Sequence, residues 1–201
     1  MKKYLLLLLS ILIYSYSVNA QIKITETFDG TGTLDWNEYA YKDGSALIKM
    51  GVLDLEVRKD SLYATIGTDL PILPEYDFKI SIKLIIPKFD EKEVSAIFFN
   101  MDEDFKRLAF IFQEDKFFAC TYNNGKFMNE GVDFKIKLPK KKNRELFVQL
   151  ERRGGRIIVS YDNVEIFRWK RTLNSPYLGF ATSSHLKVDE IVIEQEYTGE
   201  E

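Results

Sequence analysis

The chain is poor in the residues on which many small-protein chemistries depend. Its 201 residues include one cysteine and one histidine. A single cysteine cannot close an internal disulfide, so stability must come from a buried core. Cys120 and His185 together also fall short of the roughly four Cys/His ligands of a structural zinc site. Positive charge is not in excess: 28 Lys and Arg stand against 31 Asp and Glu. A nucleic-acid partner is not expected, because phosphate binding needs a basic face. Beyond the first twenty residues no window sustains a helical period, and no second long apolar run follows. The mature chain is therefore expected to have no membrane span. Repeats, low-complexity tracts and linkers are missing too. Nothing in the pattern fixes an oligomeric state.

Apolar residues are plentiful. At 45% hydrophobic and 14% aromatic, the chain can bury a sizeable core as one globular domain. The first twenty residues read as a secretory signal peptide. Lys2 and Lys3 precede an apolar run, Tyr4 to Tyr14, and Val18 and Ala20 supply small residues before a cut ahead of Gln21. The run is short for a transmembrane helix, which takes about 20 residues; an uncleaved anchor is the competing reading. The expected destination is secreted or periplasmic. No cysteine lies near the cut to be acylated.

The remainder reads as strand after strand. "YDFKISIKLII" sets Phe78, Ile80, Ile82, Leu84 and Ile86 on one face and Lys79, Ser81 and Lys83 on the other, the period of a half-buried strand. "RLAFIFQ", "ELFVQLERR", "RIIVSYD" and "LYATIGT" alternate in the same way. Turn signals fall between them: Gly51, Asn124-Gly125, Gly154-Gly155 and Asp162-Asn163. Turns every 8–12 residues or so point to an antiparallel sandwich or barrel. Cys120, inside the alternating "KFFACTY", is expected to be a small buried residue, since nothing basic is placed to make a thiolate.

The order of segments carries a resemblance. "ETFDG" with Trp36 opens the mature chain. "SALIKMGVLDLEV", "YDFKISIKLII", "AIFFNMDEDFKRLAFIF" and "ELFVQLERRGGRIIVSYDNVEIF" follow, and "SPYLGFATSSHLKVDEIVIEQ" closes it. This resembles the concanavalin A-like lectin/glucanase superfamily, especially its laminin G-like members, over most of residues 24–195. The resemblance implies an all-β antiparallel jelly-roll sandwich of two curved sheets, spanning residues 21–197 with a short tail at 198–201. It also implies pairing of the terminal strands, Trp36 in the core near them, and a concave face that often holds sugars.

Catalytic signatures are scarce. The Glu-x-Asp-x-x-Glu strand motif of laminarinase-like relatives is missing. Asp54 with Glu56, and Glu190 with Glu194 and Glu196, share strand faces, and the alternate pairs Asp54/Glu56 and Glu194/Glu196 are spaced about 7 Å apart. That overlaps glycosidase separations of roughly 5–9.5 Å. A wet outer sheet face accounts for them better. His185, in "TSSHLK", is expected on a surface loop, and Ser183 and Ser184 beside it do not make a triad. No catalytic residue is assigned, and whether the chain is an enzyme stays open, leaning against.

Calcium takes loop oxygens, and laminin G-like relatives often bind it. Asp29 and Asp189 are the candidate ligands, with Asp102 and Asp104 behind them. Sugar sites use flat rings with a polar edge; the candidate rings are Tyr39, Tyr41, Tyr63, Tyr122 and Trp169. The basic run Lys135–Arg144 reads as a solvated loop, and Asp102–Asp104 as a hairpin tip. The expected function is non-catalytic binding of carbohydrate or another extracellular ligand on the concave face. A divergent glycoside hydrolase and a cell-envelope structural module are the alternatives.

Overall fold

The computed structural model describes residues 20–59, 62–87, 93–101, 107–113, 116–123, 126–134, 142–169 and 175–197. Residues 1–19, which hold most of the expected signal peptide, the acidic stretch 102–106, Asn124-Gly125, most of the basic run and the tail 198–201 lie outside them. The strands are β1 (Ala20–Glu26), β2 (Tyr39–Ala40), β3 (Gly44–Lys49), β4 (Val52–Val57), β5 (Ala64–Asp69), β6 (Phe78–Ile86), β7 (Val94–Met101) and β8 (Arg107–Gln113). They continue as β9 (Lys116–Asn123), β10 (Lys126–Phe134), β11 (Arg144–Arg153), β12 (Arg156–Tyr161), β13 (Val164–Trp169), β14 (Tyr177–Thr182) and β15 (His185–Tyr197). No described residue is helical.

Two antiparallel sheets form a jelly-roll sandwich. A nine-stranded sheet runs β13-β12-β11-β6-β15-β4-β3-β2, with β1 also on β15; a six-stranded sheet runs β10-β9-β8-β7-β14-β5. The expected pairing of terminal strands is present, with Ile24 opposite Ile193. One flank of β15 is divided: Val188 faces Leu53 of β4, and Ile191 to Tyr197 face β1.

β6 shows why the alternating segments become strands. Ile80, Ile82 and Leu84 are fully buried, while Lys79, Ser81 and Lys83 are only half-buried on the opposite face. Ile82 lies between Val148 of β11 and Ile191 of β15, both fully buried. Phe99, Phe110, Phe117 and Phe180 line the facing surface of the six-stranded sheet in the same core. Burial of each such side chain contributes about 1.5–3 kcal/mol, which a chain that cannot form an internal disulfide needs. Trp36 is in this core, its ring 5.9 Å from both Phe28 and Phe180.

The turns follow the predicted chemistry. Asp162 and Asn163 both have positive φ, 47° and 64°, as a type I′ hairpin requires. Gly154 and Gly155 do the same at 55° and 71°. Between β14 and β15 the chain passes from one sheet to the other at Ser183-Ser184. There the Ser183 hydroxyl accepts the Val94 N–H at 2.9 Å and the Thr182 hydroxyl accepts the Ser184 N–H at 3.1 Å.

His185 departs from expectation. It opens β15 rather than lying on a loop, and its Nε2 is 2.6 Å from Asp54 Oδ1. The switch between sheets takes only two residues, so the strand starts earlier than the polar sequence suggests. Ser183 spends its hydroxyl on Val94, and no serine joins this pair among the described residues.

Candidate functional site

The outer face of the six-stranded sheet mixes small and aromatic residues. In β5 the alternation that buries Ala64, Ile66 and Thr68 turns Thr65, Gly67 and Asp69 outward. Gly67 pairs with Gly179 of β14, Gly179 with Phe98 of β7, Phe98 with Ala109 of β8, and Ala109 with Cys120 of β9. Phe98, Ala109 and Cys120 join Ala96, Ile111 and Ala181 in a second buried apolar cluster, separate from the main core, with Phe118 and Tyr177 packed on it. Cys120 is buried there, as its sequence context predicts.

Tyr177 gives this face its shape. It stands opposite Asp69, and its ring leans over the glycine pair one step along. A Cβ on Gly67 would strike the Tyr177 hydroxyl and come within 3.0 Å of the Leu178 carbonyl; one on Gly179 would come within 3.0 Å of the same ring. Only glycine leaves room for an aromatic ring to lie this close to the sheet.

The wall beside the ring is residues 33–37. The buried Glu26 carboxylate positions it, accepting the Phe28 N–H at 2.9 Å and the Leu34 N–H at 3.4 Å. Gly32 packs directly on that carboxylate, where a Cβ would collide with it. Leu34 and Trp36 then point into the core, which leaves Thr33, Asp35 and Asn37 exposed.

Two adjoining clefts result. One, of about 440 Å³, lies between Thr33–Asn37 and the Gly67–Asp69 stretch; the other, of about 210 Å³, reaches Thr65 and Phe98. They share Asn37, Gly67 and Tyr177. Asp35 and Asp69 line the larger cleft, and no Lys or Arg lines either one among the described residues. An aromatic ring beside hydroxyl, amide and carboxylate groups can take a polyhydroxylated ligand, apolar on its face and hydrogen-bonding at its rim.

The sequence candidates distribute unevenly around this site. Tyr39 is close by: its hydroxyl accepts the Thr65 N–H at 2.9 Å, and its ring lies 5.4 Å from that of Tyr41. Tyr41 and Tyr63 are strongly exposed, and Tyr63 precedes Thr65 by two residues. The side chains of Tyr122 and Trp169 lie outside the described residues. Tyr177, Asn37, Asp35 and Asp69 were not singled out by sequence reasoning. The available signal was the pair of glycines in "TIGT" and "LGF", which flags close approach by another group.

The suspected acids are elsewhere, on the outer face of the nine-stranded sheet. Asp54 holds His185, Glu56 holds Arg58 at 3.0 Å, and Glu194 holds Lys23 at 2.9 Å. Glu194 and Glu196 line a separate cleft of about 320 Å³ with Asp77, Glu151, Arg152 and Arg153. There Asp77 pairs with Arg152 at 2.9 Å and Glu151 pairs with Arg153.

The calcium candidates each have a protein partner. Asp29 accepts the Thr31 hydroxyl at 2.6 Å and its N–H at 3.0 Å, bonds that hold its carboxyl below the usual range. Asp189 sits at the β15 bulge, 2.6 Å from Lys83 Nζ, and that hydrogen bond raises the lysine pKa. Among the described residues no group of three or more His, Cys, Asp or Glu could hold a metal ion.

Comparison with known proteins bears on the fold. No protein-family model and no curated protein matches the chain. Solved structures do. A glycoside hydrolase family 16 endo-glucanase from Bacteroides ovatus aligns with TM-score 0.61 at 10% identity, over 85% of this chain and 99% of the other. The CBM2 module of an evolved Dit protein of Lactobacillus casei BL23 phage J-1 aligns with TM-score 0.56 at 11% identity, over 91% and 99%. The carbohydrate recognition domain of Emp46p aligns with TM-score 0.58 at 11% identity, over 79% and 87%. The fold is the concanavalin A-like jelly roll that the sequence resembles.

Proposed function

We propose that the chain is an exported carbohydrate-binding module, and that its sugar site is the pair of clefts around Tyr177. The observation that carries this reading is the Tyr177 ring over the Gly67–Gly179 pair, walled by Asn37 and the hydroxyls of Thr33 and Thr65. Flat rings with polar neighbours suit sugars, which present an apolar C–H face and a hydroxyl rim. Similar folds in an endo-glucanase, a CBM2 module and a carbohydrate recognition domain support the class of ligand. Export rests on the leader sequence at residues 1–20. Calcium at Asp29 and Asp189 remains part of the proposal, to be read from a calcium-dependent shift in melting temperature.

A glycan array followed by calorimetry tests the site. Wild-type protein is expected to bind at least one polysaccharide, and Tyr177→Ala to weaken that binding roughly tenfold or more, as for a central aromatic anchor. Absence of binding across plant, algal and host polysaccharides would sink the proposal.

A second reading is favoured by one observation. Asp35 and Asp69 line the same cleft, and two carboxylates flanking a sugar are the usual equipment of glycoside hydrolysis. An enzyme would release reducing ends from a bound glycan, and both Asp35→Asn and Asp69→Asn would abolish the release. A binding module would release none.

A further inference from the structure

Some acids of this chain are held in ion pairs and others are not. Glu56, Asp77, Glu151, Asp189 and Glu194 are each in an ion pair with a Lys or Arg. In the cleft beside Tyr177, Asp35 and Asp69 are exposed, and neither is in an ion pair among the described residues. Among the described residues the other lining groups are neutral. From this contrast we infer that the cleft selects its glycan by charge: chains bearing free amino groups bind best, neutral chains next, and chains bearing carboxylates or sulfates worst.

The physical argument is short-range electrostatics. A carboxylate left without an internal cation keeps its field for the ligand, whereas one already paired does not. An anionic sugar entering the larger cleft would meet two like charges and no Lys or Arg among the described lining residues, which is how sites reject a wrong partner. A protonated amine on a sugar ring would gain two attractive contacts. Exposed ion pairs contribute about 0.2–1 kcal/mol each, so two of them give roughly a fivefold preference for an amine over its acetylated counterpart at low salt. The preference must shrink as salt rises, because these charges are in water.

This inference rests on the reading of the cleft as a sugar site, and the experiment separates the two. Calorimetry on the full chain would use three oligosaccharide sets: glucosamine oligomers, their N-acetylated forms, and galacturonate oligomers, each at 20 mM and 300 mM salt. The expected result is the order amine, acetylated, uronate at low salt, with the spread narrowing at high salt. In Asp35→Asn/Asp69→Asn the ratio of amine to acetylated affinity should fall to about one at low salt. Equal or tighter binding of the uronates, or an order unchanged in the double variant, overturns the charge inference and leaves the sugar site standing. Failure of all three sets, together with a blank array of neutral polysaccharides, overturns both.

Discussion

One hydroxyl finishes the edge of the six-stranded sheet. Among the described strands β5 is paired with β14 alone, so its outward N–H groups need other acceptors. Tyr39 Oη supplies one for Thr65. Tyr39→Phe keeps the ring and removes the acceptor, so it should cost about 1 kcal/mol in urea denaturation. Lys83 and Tyr161 set the alkaline limit. The hydrogen bond and charge of Asp189 raise the Lys83 pKa, and burial raises that of Tyr161. For both, the folded value lies above the unfolded one. Their stabilisation is full below the unfolded pKa and is lost as pH rises through the folded value. Urea midpoints should therefore fall above about pH 10. Asp189→Asn should make that decline shallower by removing the lysine's share. Residue-scale roles were the hardest to read in advance. "SPYLGF" was legible as a strand, but nothing local says that the Tyr177 ring folds over Gly67, 110 positions earlier in the chain.

At the scale of elements, alternation was the reliable signal. Every inward residue assigned to β6 is buried. The same pattern exposed Thr65, Gly67 and Asp69 along β5, yet it could not distinguish a wet outer face from a binding face, because both are polar. Gly67 tests the difference. Gly67→Ala must displace the Tyr177 ring and press on the Leu178 carbonyl. The expected cost is about 1–3 kcal/mol, with loss of glycan affinity comparable to that of Tyr177→Ala. Unchanged affinity in a folded Gly67→Ala protein would show that the ring's placement does not matter for binding. The β14–β15 corner explains the misreading of His185. Two serines suffice to cross between sheets when the Ser183 and Thr182 hydroxyls accept the Val94 and Ser184 N–H groups, so a stretch that reads as loop is already half strand.

At the scale of the whole molecule, β15 joins the two ends of the chain. It pairs with β6 on one side and with both β4 and β1 on the other. A chain ending after Thr182 would lose a central strand and leave the β6 and β4 edges unpaired. It is expected to be insoluble or to lack cooperative unfolding by circular dichroism. Because β1 and β15 meet only after the rest of the chain is made, refolding of the full protein should take milliseconds to seconds, as for other sheet folds with distant pairings. Cys120 offers a probe: buried in the second apolar cluster, its thiol should react with a disulfide reagent only as fast as the protein opens.

The sequence by itself determined the all-β class, the jelly-roll resemblance, the turns at Gly154-Gly155 and Asp162-Asn163, and the burial of Trp36 and Cys120. The all-β class, the turns and the burial of Cys120 follow from period-2 hydrophobicity and from backbone preferences that act over a few residues, whereas the jelly roll and the burial of Trp36 are what the resemblance implied. The tertiary structure alone decided that Tyr177, Asn37, Asp35 and Asp69 share one cleft, and that Asp54 and Glu194 are held by His185 and Lys23. Those groupings depend on sheet order and strand register, which join positions far apart in the chain and leave no periodic trace in any one segment.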